Sequence, residues 1–109
     1  MSFLERINDN DLDNMQSIVN QIAIIFSNRN DVYYTYDFKR LKLIAVHEIF
    51  KFDYFSPEFS LRLKECIEAV DPRVENIIIN VSKDNDKIMI EIDGQLISGE
   101  IFRKLKFLL

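Results

Sequence analysis

The spacing of apolar residues changes at Pro72, and this change limits the folds that the chain can adopt. Before Pro72, apolar side chains recur every three or four residues, which is the spacing of one face of a helix. After it, Ile or Val occupies every second position over 77–81 and again over 88–92, as in half-buried strands. A length of 109 residues predicts one domain, residues 1–109. The expected fold is therefore α+β, with N-terminal helices followed by a small antiparallel sheet of two to three strands.

Two helical segments are expected at the start of the chain. Residues 2–7 predict one helical turn, which Ser2 and Glu5 close with the spacing of a capping box. A longer helix is expected over about 11–27, and the polar residues 28–31 end it. The apolar stripe of this longer helix is predicted to consist of Leu12, Met15, Val19, Ile22 and Phe26.

A further helix has clear start and stop signals. Ser56 supplies a cap oxygen, Pro57 suits the first helical position, and Glu58 interacts favourably with the helix dipole. Pro72 ends the helix, because the residue before a proline is restricted to extended geometry. The predicted apolar face of this helix comprises Phe59, Leu63, Cys66, Ile67 and Val70.

The middle of the chain, residues 31–55, gives mixed signals. Residues 32–36 have the composition of a strand, whereas 41–50 show the spacing of a short helix. The aromatic residues that follow favour either a satellite core under a loop or a partner-docking patch. These residues are Phe50, Phe52, Tyr54 and Phe55.

The two alternating runs predict an antiparallel hairpin whose Ile and Val face packs against the helices, with residues 83–86 as its loop. Asp93 and Gly94 fit either a second tight turn or a bulge within one long strand. The tail, residues 101–109, fits either a strand or a helix. The strand would align Arg103, Leu105, Phe107 and Leu109, and the helix would align Ile101, Leu105 and Leu108. Either way, so small a sheet leaves edge strands open to pairing with another chain.

Composition and charge narrow the functional classes. The net charge of −4 and the pI of about 4.9 argue against broad binding of nucleic acid or anionic membranes. No apolar run approaches the ~18 residues of a membrane span, so no membrane insertion is expected. A single Cys and the absence of a signal-peptide pattern predict a cytoplasmic protein.

The sequence offers few residues for catalysis. With one Cys (Cys66) and one His (His47), a single chain cannot form a Cys/His zinc site or a catalytic triad. The only glycines, Gly94 and Gly99, do not form a phosphate-binding loop. We therefore expect no catalytic, cofactor-binding or metal-binding residues, no cofactor and no small-molecule substrate. A cell-wall hydrolase remains an alternative, because the eighteen acidic residues include possible carboxylate pairs.

Cations gather near the C-terminus as Arg103, Lys104 and Lys106, among apolar residues. One interpretation is a half-solvated element with ordinary gatekeeper charges. The other is a cationic edge that meets an acidic partner.

Residues 66–81 carry a resemblance to a known family. A helix runs into Asp71-Pro72-Arg73, and an apolar residue and a strand follow. This segment resembles the Glu-Pro-Arg motif of the lysozyme-like baseplate wedge family, which contractile-tail phages share with the short baseplate subunit of type VI secretion systems. Residues 2–7, 26–29 and 88–96 resemble other segments of that family. Asp71 stands where the family usually has Glu, and 31–55 lacks its usual Tyr-Gly-hydrophobic-Pro pattern.

The resemblance implies a structural subunit of the baseplate, a cytoplasmic assembly at the inner face of the cell envelope. Its partners would be baseplate wedge proteins and sheath subunits, and it would nucleate the sheath by strand pairing. Asp71, Pro72 and Arg73 would contact partners. The cationic edge of Arg103, Lys104 and Lys106, expected from the residues themselves, would be a second contact. The other interpretation of Asp71-Pro72-Arg73 is a helix stop with a local charge pair. A regulatory anti-adaptor on the same fold remains the alternative function.

Overall fold

The computed structural model of the protein describes the backbone of residues 3–109 and the side chains of residues 14–109. The predicted α+β class is confirmed, with helices followed by an antiparallel sheet of three strands. A second, two-stranded sheet lies between the helices in the chain. The elements are α1 (Phe3–Ser27), β1 (Tyr34–Asp37), β2 (Lys42–Ala45), α2 (Val46–Ile49), α3 (Pro57–Val70), β3 (Val74–Asp84), β4 (Lys87–Leu96) and β5 (Ile101–Leu108).

The N-terminal segment forms one helix, α1, so the predicted division near residues 8–10 is wrong. The polar residues there include no Pro or Gly, and they therefore leave the backbone hydrogen bonds of the helix uninterrupted. Ser2, half of the predicted capping box, lies outside the described residues. The buried stripe is rotated from the predicted one, with Val19 only half-buried and Leu12 outside the described side chains. Its buried members are Ile18, Ile22, Ile25 and Phe26.

Residues 34–45 form an antiparallel hairpin of β1 and β2. The predicted helix over 41–50 is wrong in its first half, because residues 42–45 pair with β1 instead. Only Val46–Ile49 is helical. The carboxylate of Asp37 organises the loop, since its Oδ1 accepts the backbone N–H groups of Lys39 and Arg40 at 3.0 and 3.3 Å.

Helix α3 begins as predicted, with the Ser56 hydroxyl oxygen accepting the backbone N–H of Phe59 at 3.2 Å. The ring of Phe59 is fully buried and packs edge-on against Phe50 and Tyr54, with centroids 5.6 and 5.0 Å away. The predicted aromatic cluster is therefore split between the core and the surface, because Phe50 is buried whereas Phe52 stays 41% exposed. The buried residues of α3 are Phe59, Leu63, Cys66 and Ile67, whereas Val70 is half-buried.

The main sheet has the strand order β3-β4-β5, and every neighbouring pair is antiparallel. The predicted hairpin is confirmed, but its turn is tighter than expected because Asp84 pairs directly with Lys87. Ile90 and Ile92 are fully buried on the face towards the helices. The tail adopts the strand alternative as β5, and the Phe107 ring stacks on Phe26 of α1 at 4.2 Å between centroids.

Asp93 and Gly94 lie within one long strand, β4, and each lies opposite a bulge in a neighbouring strand. In β5, two residues, Arg103 and Lys104, occupy the position opposite Asp93. This bulge shifts the pattern of the strand, so that Phe102 points inward and Arg103 stays exposed. The predicted alignment of Arg103 with Leu105, Phe107 and Leu109 is therefore wrong at its first member.

Candidate partner-binding site

The predicted motif Asp71-Pro72-Arg73 connects α3 to β3. Asp71 ends α3 as its C-cap, and its side chain is almost fully buried, with the residue 3% exposed. The guanidinium of Arg73 donates from Nε to Asp71 Oδ1 at 2.8 Å and from Nη2 to Asp71 Oδ2 at 2.7 Å. This fork-to-fork geometry is the strongest form of carboxylate pairing. The buried carboxylate is thereby compensated within the chain.

Arg73 also joins this turn to α1. Its Nη2 donates to the hydroxyl of Ser17 at 3.0 Å, across 56 positions of sequence. Its carbonyl oxygen accepts the N–H of Ile97 at 2.9 Å, just after β4. The hydrogen bonds to Asp71 raise the pKa of the Arg73 guanidinium, so that its charge is retained. Arg73 therefore braces three elements: its guanidinium joins α1 to the end of α3, and its carbonyl holds the end of β4. Even so, 44% of its side chain stays exposed.

Replacing Arg73 with alanine is expected to lower the free energy of unfolding by about 1–3 kcal/mol. The substitution leaves the carboxylate of Asp71 buried without its cation, although water can replace part of the half-exposed guanidinium. Chemical denaturation measures the change, with Arg103→Ala as the exposed control. Equal stability of the two variants would contradict the bracing role of Arg73.

The other predicted site residues, Arg103, Lys104 and Lys106, lie on β5 with exposed side chains. Acidic groups of β4 lie opposite two of them. The Lys106 amine is 4.0 Å from Glu91, and the backbone N–H of Lys104 donates to Asp93 at 2.6 Å.

An open groove of about 440 Å³ on this face of the sheet is lined by Arg103 and Lys104 together with Ile78 and Ile101.

β5 is an edge strand, since no other strand within residues 3–109 pairs with its outer side. Ile88 and Leu109 exchange both backbone hydrogen bonds, at 3.3 and 2.9 Å. Paired residues of an antiparallel ladder alternate between bonded and non-bonded positions. The backbone N–H and C=O groups of Lys106 and Leu108 therefore point away from β4, towards the open edge.

The two sets of predicted site residues occupy separate surfaces. The cavity beside Arg73, about 140 Å³, is lined by residues of α1 and by Leu96 to Ser98, and it shares no residue with the groove beside Arg103. Sequence reasoning missed Ser17, the distant partner of Arg73, because nothing in the sequence connects the two positions. It also missed the outward aromatic face of β1, although alternating Tyr34 and Tyr36 were visible as a signal.

The two residues with the most reactive side chains have structural surroundings. Nδ1 of His47 accepts the backbone N–H of Tyr33 at 3.2 Å, which ties α2 to the segment before β1. Cys66 is fully buried on the inner face of α3. Within residues 14–109, no three His, Cys, Asp or Glu side chains come close enough together to hold a metal ion.

The Cys66 thiol is expected to stay unreactive in the folded protein. Burial raises the pKa of this thiol from 9.0 to about 12, which keeps it neutral near physiological pH. The thiolate fraction should then fall about a thousandfold below that of an unfolded chain at neutral pH. Labelling with Ellman's reagent in native buffer and in guanidinium chloride measures the difference. Rapid labelling of the native protein would show that Cys66 is accessible.

Comparisons with known proteins complete the description of the site. No family model, no curated protein sequence and no solved structure matches this chain. Among residues 3–109, no helix is long and apolar enough to cross a lipid bilayer.

Proposed function

We propose that this chain is a structural baseplate subunit of a type VI secretion or related contractile injection machine. In this role it binds the neighbouring wedge proteins and nucleates the sheath by pairing one of its strands with a sheath subunit. The observation that carries the proposal is the open outer edge of β5, where Lys106 and Leu108 direct backbone donors and acceptors away from the sheet.

Strand addition suits this edge. Main-chain hydrogen bonds to Lys106 and Leu108 would supply affinity that does not depend on sequence, and the side chains of the added strand would set the register. The exposed cations Arg103, Lys104 and Lys106 would favour a strand that carries carboxylates. The amine of Lys106 is already 4.0 Å from the carboxylate of Glu91. Arg103 and Lys104 are therefore expected to attract a partner's carboxylates more strongly than Lys106 does.

The Asp71-Pro72-Arg73 turn supports the proposal in a second way. Its ion pair holds the start of β3 against α1 and α3, so the sheet has a defined orientation relative to the helices. About half of the Arg73 side chain is exposed, which leaves room for a partner's acceptor beside the internal pair. A rigid support of this kind lowers the entropic cost of docking a partner.

The proposed setting is a cytoplasmic baseplate at the inner face of the cell envelope. The chain would act there as a non-enzymatic subunit without a cofactor, a small-molecule substrate, nucleic acid or membrane insertion. Its work would consist of binding protein partners in a fixed geometry.

Affinity purification of the tagged chain from its native cells, followed by quantitative mass spectrometry, tests the proposal. Recovery of sheath and baseplate wedge proteins above an untagged control is the expected result. Recovery of a response-regulator adaptor without sheath or wedge proteins would overturn it in favour of the anti-adaptor function.

A further inference from the structure

The hairpin of β1 and β2 has an apolar face that points into solvent. Residues directly opposite each other in a hairpin share one face, and Tyr36 lies opposite Leu43. Leu43 is 66% exposed, and Phe38, in the loop that follows β1, is 79% exposed. Antiparallel sheets ordinarily present polar side chains on their solvent face, so this composition is unusual. We name Tyr34, Tyr36, Phe38 and Leu43 the hairpin face.

The hairpin face is continuous. The rings of Tyr36 and Phe38 meet edge-on with centroids 4.6 Å apart, and Leu43 lies across from Tyr36. Leu41, in the loop, is 74% exposed and has a φ of 53°, a left-handed conformation that leucine rarely adopts. Single exposed apolar residues are common, but a contiguous set marks an interaction surface.

A groove of about 250 Å³ continues from the hairpin face along the outer edge of β2. Its apolar lining includes Leu43, Ile49 and Phe52. Its charged lining consists of Lys42 at the loop end and of Glu48, Arg62 and Glu65 along the groove, with Arg62 3.9 Å from Glu65. The N–H of Val46 donates to the carbonyl of Tyr33 at 2.9 Å. By the alternation of the ladder, the backbone groups of Leu43 and Ala45 therefore point away from β1, into this groove.

The charge of the hairpin indicates what would bind there. Asp37 and Arg40 compensate each other, with Arg40 also 3.4 Å from Glu65. Within residues 14–109, no carboxylate forms an ion pair with Lys39 or Lys42, and both are exposed. Lys39 is in the loop, and Lys42, which lies opposite Asp37 on the other face from Leu43, lines the groove. Both cations are without an ion pair among the described residues, in a chain whose net charge is −4.

We propose that the hairpin face and the adjoining groove bind an extended segment of a partner protein that carries apolar side chains flanked by carboxylates. The apolar side chains would cover Phe38 and Leu43, and the carboxylates would meet Lys39 in the loop and Lys42 at the loop end of the groove, away from Glu48. The backbone of the segment would use the outward N–H and C=O of Leu43 and the outward N–H of Ala45, whereas the C=O of Ala45 caps α2. This surface is separate from the β5 edge and does not depend on the proposed baseplate function.

The observations favour a protein segment over two other occupants. A second copy docked hairpin to hairpin would bring cations, Lys39 and Lys42, in place of the carboxylates that the surface suits. A membrane would contact the loop, Phe38 and Leu41, but the apolar side chains extend along the whole hairpin to Tyr34. An extended segment fits that shape.

Selection from a random-peptide library displayed on phage, with the full chain immobilised, tests the proposal. Counter-selection uses the chain with Phe38→Ser and Leu43→Ser, which replace exposed side chains and should leave the fold intact. Enriched peptides are expected to combine apolar residues with Asp or Glu. Their affinity should fall by about tenfold or more in the double variant, and it should weaken with added salt.

The variant Leu61→Ser is the matched control, because Leu61 is 50% exposed on α3 and lines neither of the proposed binding surfaces. It should bind the selected peptides as tightly as the unmodified chain does. No enrichment, or peptides that bind the double variant equally well, would overturn the proposal. Two further results would also overturn it. A dimer in analytical ultracentrifugation that the double variant abolishes would identify a second copy as the occupant. Co-sedimentation with phosphatidylglycerol vesicles that the double variant abolishes would identify a membrane.

Discussion

Replacing Phe59 with alanine is expected to lower the free energy of unfolding by about 3–5 kcal/mol. The ring is 0% exposed at the start of α3, and it contacts two other rings, those of Phe50 and Tyr54. Its removal would leave a cavity that the cap at Ser56 and the neighbouring segments can only partly close. Chemical denaturation followed by circular dichroism measures the loss.

The same substitution at Phe38 is the control, because that ring is 79% exposed and its loss should change stability by about 0.5 kcal/mol or less. If Phe59→Ala does not fold, Phe59→Leu should fold with a smaller loss, because it retains most of the apolar volume. Equal effects at Phe59 and Phe38 would show that the aromatic core is not arranged around α3 as described.

Replacing Gly94 with alanine is expected to lower the free energy of unfolding by about 1–3 kcal/mol. A Cβ at this position would meet the ring of Phe102, with Cε1 of that ring 2.8 Å away. The cost arises from this overlap, since the backbone of Gly94 does not have a positive φ. Thermal and chemical unfolding measure the effect.

A double-mutant cycle separates the overlap from other causes. Phe102→Ala should be destabilising by itself, because Phe102 is only 9% exposed. In that background, Gly94→Ala should be close to neutral, because the ring that it would meet is absent. An unchanged cost of Gly94→Ala in the Phe102→Ala background would show that Phe102 is not the cause.

Elements with local signals were predictable from the sequence. The start of α3 depends on Ser56 and Pro57, which act within one helical turn. The hairpin of β3 and β4 depends on alternating Ile and Val residues on both sides of a polar turn. The predicted helix over 41–50 failed at residues 42–45, because pairing with β1 outweighed the local helical spacing.

Features that depend on register were not predictable. The inward position of Phe102 follows from the bulge at Arg103 and Lys104, and that bulge is defined by pairing with β4. The candidate site likewise combines a contact that the local sequence indicated and a contact that depends on tertiary packing. The pairing of Asp71 with Arg73 was visible as a local alternative, whereas the hydrogen bond to Ser17 depends on how α1 packs against the turn.

The central claim is that β5 binds a partner by strand addition. Two variants at Lys106 test it most directly, through their binding to purified sheath protein from the same cells. Lys106→Pro removes a backbone N–H that points to the open edge, whereas Lys106→Thr removes the cation and keeps that N–H. Both variants should fold, because neither removes a hydrogen bond between β4 and β5.

The account predicts that Lys106→Thr retains binding and that Lys106→Pro weakens it by about tenfold or more. Isothermal titration calorimetry of both variants and of the unmodified chain measures the three affinities. Full binding by Lys106→Pro, or an equal loss in both variants, would contradict strand addition at this edge.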